Sequence, residues 1–379
     1  MSASTEACKA AAKDASDDEY VNTSVVELGP ILEAESKYGP IFRRELFDVA
    51  YAAHLSIQNK RQKTSDLLGG EQEGEENIVS DDQVVLLDIY GNERKVYLMG
   101  DGVRVEHNGI PYITQRCWSY RSIQSLGYAY GGGGGGNRDQ LCPYDLGSAR
   151  HVEADAKDCF KVEVLTENSI AWKGEWTNSE MYHRITAFLD EHAGKTMQHV
   201  DKIICFGLGC FDAKYPLAVK CRYIQHLAAY TIRDVIAQKQ GGEPPKIYTQ
   251  EPHYCKAAIA LVKARFDMEV LEDPEGFRAL DGNTFVMTVS PDVPVRQVAF
   301  GLTHEFGGPA GMFCNSITSE GLECDGKGSE ARDGHHSVSP YRTCEPSPGL
   351  WRYKQESVWM EYSDMASFGD IGVYLKRRA

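Results

Sequence analysis

Between residues 201 and 316, short apolar runs of strand length alternate with segments of helical period, and this alternation constrains the fold more than any other feature. Such a pattern argues a parallel sheet joined by crossover helices. The strands are expected at Lys202–Phe206, Lys246–Thr249, Met268–Leu271, Thr284–Val289 and Gly311–Cys314. The helices are expected at Leu217–Gln238, His253–Arg265 and Val293–Leu302. The expected fold class is therefore α/β, a doubly wound, mostly parallel, Rossmann-like sheet at about 195–320, with an N-terminal α+β region at 23–194. In such sheets ligands bind beyond the carboxyl ends of the strands, where the strand order reverses.

The flanks read less sharply. Residues 1–22 are small, charged and alanine-rich, as in a disordered tail. Ile41–Gln58 and Asn178–His192 have helical spacing, the second with Asn178 or Ser179 as its cap. Val84–Tyr97 reads as a hairpin turning at Gly91-Asn92. Mobile loops are expected at 60–82 and 131–137; the run of six glycines in the second lacks the Lys-Ser/Thr of a phosphate loop. Residues 321–350 form a polar excursion, and 351–379 return as a helix over Trp351–Tyr362 and an edge strand at Gly372–Leu375.

Charge and cysteine usage narrow the function classes. A formal net charge of −15 argues against broad electrostatic contact with duplex DNA, though not against a local basic groove for RNA. The eleven cysteines are dispersed, with no C-x-x-C pair, so no metal site is expected and a reducing compartment is. Neither a secretory leader nor a membrane-length apolar run is visible, so the expected place is the cytoplasm.

The chemistry-bearing residues cluster after strands. Gly207-x-Gly209 follows the first strand and is half of a dinucleotide fingerprint, but Asp212 stands where the third glycine belongs. Cys210 in the same turn is a thiol near a helix start. Glu251-Pro252-His253-Tyr254 follows the second strand and offers acid/base groups or, alternatively, an ordinary helix start. Ser290-Pro291-Asp292 follows the fourth and offers a nucleophile or a helix cap. Arg222 and Gln225 lie on the helix after the glycine turn.

The segments F-G-L-G-C-F, R-Y-I-Q-H-L-A-A-Y, Y-T-Q-E-P-H-Y, G-F-R-A-L-D-G-N-T-F-V-M-T-V-S-P and P-A-G-M-F-C-N-S, in that order over about residues 200–317, resemble the Sensitivity-to-Red-light-Reduced-like family. Where that family usually has Asp-Pro after the second strand, this chain has Glu251-Pro252. The preceding extension with G-P-I-F-R-R-E-L-F looks like that of the fungal members, and proteins with this general look include arginine-containing cyclodipeptide synthases, which join residues from two charged tRNAs into a diketopiperazine. The acidic motif of that branch has its nearest counterparts in Asp17-Asp18-Glu19 and in Glu272-Asp273-Pro274-Glu275. The resemblance and the residues at the strand ends together point to a substrate site at Gly207, Gly209, Phe211, Gln225, Glu251, His253, Glu272, Asp273, Asp292 and Asn315, and the residues themselves offer Ser290, Tyr254 and Cys210 as candidate catalytic groups. The resemblance implies aminoacyl-tRNAs as partners, arginyl-tRNA among them, held by Lys214, Lys220, Arg222 and Arg233, and no cofactor, because the ester is already activated. The alternatives are a non-catalytic regulatory protein of the same family and a nucleotide-dependent oxidoreductase.

Overall fold

The computed structural model describes residues 24–67, 83–97, 104–107, 110–131, 141–152, 162–211, 216–319, 335–338, 346–364 and 366–378. The 1–22 tail, most of the 131–137 glycine run and Lys214 lie outside the described residues.

The N-terminal region carries strands β1 (Ser24–Glu27), β2 (Gln83–Leu87), β3 (Glu93–Tyr97), β4 (Arg104–His107), β5 (Ile110–Tyr120) and β6 (Tyr144–Val152). Its helices are α1 (Gly29–Tyr38), α2 (Arg44–Leu67) and α3 (Ile123–Tyr130). β2 and β3 pair as the expected hairpin, and β4–β5–β6 form a small antiparallel sheet. α2 runs past Gln58 as far as Leu67, into the stretch expected as loop. Two helices follow, α4 (Val162–Thr177) and α5 (Glu180–His192); Ser179 caps α5 by accepting the Tyr182 N–H at 3.1 Å.

The remainder builds one seven-stranded sheet. Its strands are β7 (Lys202–Phe206), β8 (Lys246–Gln250), β9 (Met268–Val270), β10 (Thr284–Thr288), β11 (Gly311–Asn315), β13 (Ser357–Asp364) and β14 (Gly369–Lys376). The helices are α6 (Pro216–Gln240), α7 (Lys256–Phe266), α8 (Glu275–Arg278), α9 (Val295–Leu302) and α10 (Pro348–Glu356). The sheet order is β13-β14-β11-β10-β7-β8-β9, with parallel pairing from β11 to β9. Both faces are covered, so the inner strands read as continuous apolar runs; every residue of β10 is buried. From β7 the chain winds outward to β8 and β9, then returns to place β10 on the opposite side. The switch point therefore lies between β7 and β10. This is the α/β, doubly wound, Rossmann-like class.

Two apolar cores flank the sheet. On one face, side chains of α1, α2, α3 and the N-terminal strands pack with Phe206, Phe277, Val286, Val298 and Met312. On the other, α4 and α5 pack with α6, Ile203, Cys205, Phe285 and Phe313. The region before the sheet is thus divided between its two faces.

The C-terminal segment departs from expectation. α10 stops at Glu356, where the Ser357 hydroxyl donates to the Tyr353 carbonyl at 2.7 Å, and Ser357–Asp364 continues as an edge strand. β14 is an inner strand, antiparallel to both β11 and β13; its buried I-G-V-Y-L run suits a position covered on two faces. The 321–350 excursion contributes β12 (His335–Val338), which pairs with β1. Cys255 is disulfide-bonded, against the expectation of unpaired cysteines, whereas Cys142 and Cys205 are free thiols.

Candidate functional site

A cavity of about 730 Å³ opens at the switch point. Three strand ends and one distant segment meet in its wall. β7 supplies Gly207, Gly209 and Cys210; β8 supplies Gln250, Glu251 and His253; β10 leads into Ser290 and Asp292; and Tyr120 arrives from the end of β5. The volume lies in the range of small-molecule sites.

The glycine turn is shaped by backbone need. Gly207 (φ 66°) and Gly209 (φ 80°) lie in the left-handed region, where a side chain is strained. A Cβ on Gly209 would also stand 2.6 Å from Nε of Arg222. Arg222 folds across the turn and donates through Nη1 to the Cys210 carbonyl. It therefore lines the cavity wall, on the helix side that faces the glycine turn.

Glu251 is tied to the same turn. Its Oε2 accepts the Gly209 N–H at 2.8 Å, and its Oε1 accepts the His253 N–H at 2.9 Å. It does not open a helix, because α7 begins at Lys256 with the Cys255 sulfur accepting the Ala258 N–H at 3.4 Å. The carboxylate is nearly buried, at 8% exposure, and faces the cavity wall.

Ser290 is held in strain. Its φ of 45° puts a serine in the left-handed region, which costs about 1–2 kcal/mol. Asn315, at the end of β11, holds it from both sides: Oδ1 accepts the Ser290 N–H at 2.8 Å, and Nδ2 donates to Oγ at 3.2 Å. No side chain caps α9, whose N-cap is Pro294, so neither Ser290 nor Asp292 serves as a cap. Strain that the surroundings hold in place clusters at functional sites. Behind Asn315, the buried Arg296 donates through Nη1 to the carbonyls of Asn315 and Ser316, at 2.9 and 3.1 Å.

Asp273 completes the wall. Its Oδ1 accepts from Tyr120 Oη at 2.7 Å and from Gln250 Nε2 at 2.9 Å. Burial pushes its carboxyl up to about 6, against the lowering effect of these two hydrogen bonds. A carboxyl with that value both gives and takes protons near neutrality. Gln250 is fixed in turn by the Gly276 N–H, donating to Oε1 at 2.7 Å.

Other candidates lie elsewhere. Tyr254 turns into the core, where its hydroxyl bonds Nε2 of His226 at 2.6 Å; it is absent from the cavity wall. His226 is itself buried, its pKa pulled down to about 4, with Nδ1 bonded to the Arg222 carbonyl at 2.7 Å. The imidazole is thus neutral, with Nδ1–H donating and Nε2 accepting from the phenol. Phe211 packs in the same core, and Glu272 is exposed outside the cavity wall. Gln225 reaches the wall while its Nε2 donates to the Ser367 carbonyl at 2.9 Å.

The bases assigned to RNA are largely paired. Lys220 meets Glu175, and Arg233 meets Asp234 at 2.8 Å and Asp267 at 3.6 Å. Among the described residues, no cluster of three metal-ligating groups occurs, and no helix is long and apolar enough to cross a membrane. Tyr120 and Arg296 escaped the sequence reading, since 153 residues separate Tyr120 from Asp273 and nothing local marks either as a site residue.

The SRR1 domain model matches residues 183–374, from within α5 through most of β14. The chain belongs to the SRR1 domain family. The match spans six strands of the seven-stranded sheet in full, most of β14, and every cavity residue except Tyr120. No curated protein matches this SRR1-domain chain. Solved structures with some likeness include a Bacillus cereus O-methyltransferase in complex with SAH (10% identity, 56% of this chain and 89% of that one, TM-score 0.28). Others are Aeropyrum pernix fibrillarin with S-adenosyl-L-methionine (11%, 50% and 72%, TM-score 0.25) and cofactor-bound Rv0187 from MTB (13%, 57% and 91%, TM-score 0.27). At these scores the likeness bears on neither substrate nor chemistry.

Proposed function

We propose that this SRR1-domain protein is a tRNA-dependent cyclodipeptide synthase that takes arginine from arginyl-tRNA, with Ser290 as the acyl acceptor. The observation that carries this reading is the strained Ser290, held by Asn315 on the wall of a cavity that also contains Asp273. In the proposed step, Ser290 Oγ attacks the ester carbonyl of the donor. The C–O bond to the tRNA ribose breaks, the leaving hydroxyl takes the serine proton, and an arginyl ester of Ser290 forms. The amine of a second aminoacyl-tRNA then displaces Ser290 to make a dipeptidyl ester. Attack of the free dipeptide amine on the remaining ester closes the diketopiperazine and releases the second tRNA. Both esters are already activated, so neither ATP nor a redox cofactor enters the balance. Asp273, titrating near neutrality, suits the proton transfers.

The charge of the wall favours a cationic side chain. Glu251, Asp273 and Asp292 line the cavity, and its arginine, Arg222, is already engaged with the Cys210 carbonyl. A guanidinium matches carboxylate oxygens with paired donors. Expression in a bacterial host, with mass spectrometry of the medium, tests the reading. Arginine-containing diketopiperazine is expected from the wild-type protein and none from Ser290→Ala. In vitro, product should form without ATP and disappear after RNase treatment. Product that survives RNase, or its absence with every charged tRNA mixture, refutes the proposal.

A further inference from the structure

We infer that the corner formed by the Gly207–Gly209 turn and Glu251 is a ribose-binding subsite that holds a nucleoside by its hydroxyls and keeps phosphate away from the turn. Position comes first. Glu251 stands at the tip of the strand next to β7, beside the glycine turn, at the switch point of the sheet. In doubly wound sheets a carboxylate in that region accepts hydrogen bonds from ribose hydroxyls.

Geometry sharpens the assignment. Each Glu251 oxygen accepts one backbone N–H, from Gly209 at 2.8 Å and from His253 at 2.9 Å. A carboxylate oxygen has two acceptor sites, so beyond these two bonds each oxygen has the capacity to accept one further donor, a pair of acceptors on one group. Such a pair matches two adjacent hydroxyls. The two backbone donors also fix the carboxylate's orientation before any ligand arrives.

The same bonds exclude the usual second occupant. In a dinucleotide site the glycine turn presents its N–H groups to a pyrophosphate. Here the Gly209 N–H already donates to a carboxylate, and Arg222 spends Nη1 on the Cys210 carbonyl. A phosphate placed against Gly209 would meet the Glu251 anion in place of that N–H donor. The bound group is therefore a nucleoside whose phosphates, if it has any, point away from the turn.

For the donor proposed above, the nucleoside is the terminal adenosine of the charged tRNA, whose free hydroxyl beside the ester would donate to Glu251. That placement leaves Asp273 and Asp292 to the guanidinium. This last step rests on the proposed function, whereas the ribose subsite does not.

Calorimetry on the full chain tests the subsite with adenosine, 2′,3′-dideoxyadenosine and ATP. Adenosine should bind with a dissociation constant below about 1 mM. Dideoxyadenosine should bind at least ~10-fold more weakly, the loss expected for charge-assisted hydrogen bonds. ATP should bind no more tightly than adenosine. Glu251→Gln should shrink the ratio between adenosine and the dideoxy compound, which a purely structural role would leave unchanged. If that variant does not fold, the ligand series on the wild-type chain still decides. Equal binding of the two nucleosides, no adenosine binding by folded protein, or ATP binding ~10-fold tighter than adenosine overturns the inference. Adenosine binding without product from any charged tRNA would remove the synthase reading and keep the subsite. Ser290-dependent product without adenosine binding would do the reverse.

Discussion

Asp273→Asn should stabilise the protein, and by an amount that depends on pH. Burial raises the Asp273 carboxyl from 3.8 to about 6. The native state therefore holds its proton more tightly than the unfolded chain does. Below the unfolded value both states are protonated and nothing is lost. As pH rises through 3.8 the unfolded chain ionises first, and native stability falls until about pH 6, then levels off. One pH unit corresponds to about 1.4 kcal/mol, so the two-unit gap costs about 3 kcal/mol above neutrality. Asparagine removes the charge while its carbonyl still accepts from Tyr120 and Gln250, the two bonds that Oδ1 now receives at 2.7 and 2.9 Å. The variant should gain about 2–3 kcal/mol at about pH 8 and less than about 1 kcal/mol near pH 4. Glu35, whose pKa burial also raises, to about 7, is present in both proteins and cancels in the comparison. Urea unfolding of the two proteins at both pH values measures the difference. Equal differences at the two pH values, or a less stable variant at the higher one, would refute the electrostatic account of this site. Under the proposed function the stabilised variant should also lose most of its synthesis, as sites that carry strain or unfavourable charge trade stability for activity.

Two further substitutions probe the same wall. Ser290→Gly relieves the strain of the 45° φ but adds glycine's chain entropy and loses the 3.2 Å bond from Asn315. Its stability should stay within about 1 kcal/mol of wild type while product formation stops, and a fall in melting temperature of more than about 8 °C would contradict the assigned strain. Tyr120→Phe removes a hydrogen bond that lowers the Asp273 pKa, so the carboxyl should titrate at higher pH in a carbon-detected NMR titration. An unmoved or lower midpoint would show that Tyr120 does not act on this group.

The sheet was legible because its inner strands are covered on both faces. K-I-I-C-F and T-F-V-M-T can be buried only as central strands, and the glycines after the first mark a turn with positive φ. The switch point followed, and with it a common wall for Gly209, Glu251 and Ser290. What escaped depends on contacts distant in sequence. Tyr120 reaches Asp273 across 153 residues, and Asn315 holds Ser290 across 25. The direction of a side chain after a strand was equally hidden. Tyr254 lies three residues beyond Glu251, yet it turns to His226 and the core. The C-terminal hairpin misled because Trp351–Tyr362 suits a helix in part and a strand in part. The change falls at Ser357, whose hydroxyl takes up the Tyr353 carbonyl.

Charge decides how any RNA would be held. Lys202 meets Asp281 at 2.6 Å, Arg233 meets Asp234 at 2.8 Å, and Lys220 meets Glu175. Freeing each base for a phosphate costs up to about 1 kcal/mol and leaves a carboxylate facing the RNA. With a net charge of −15 the long-range field also repels the polyanion. Affinity for a charged tRNA should then come from its terminal nucleoside and aminoacyl group inside the cavity, with only one or two phosphate contacts. For single strands the logarithm of affinity falls with the logarithm of salt at about 0.7 per contact. Two contacts predict a loss of about tenfold or less between about 50 and 200 mM salt, whereas six or more predict over about a hundredfold. Fluorescence anisotropy with labelled arginyl-tRNA across that range measures the slope. A steep slope would place the RNA body on a basic surface that these ion pairs do not leave open, and would refute recognition centred on the cavity.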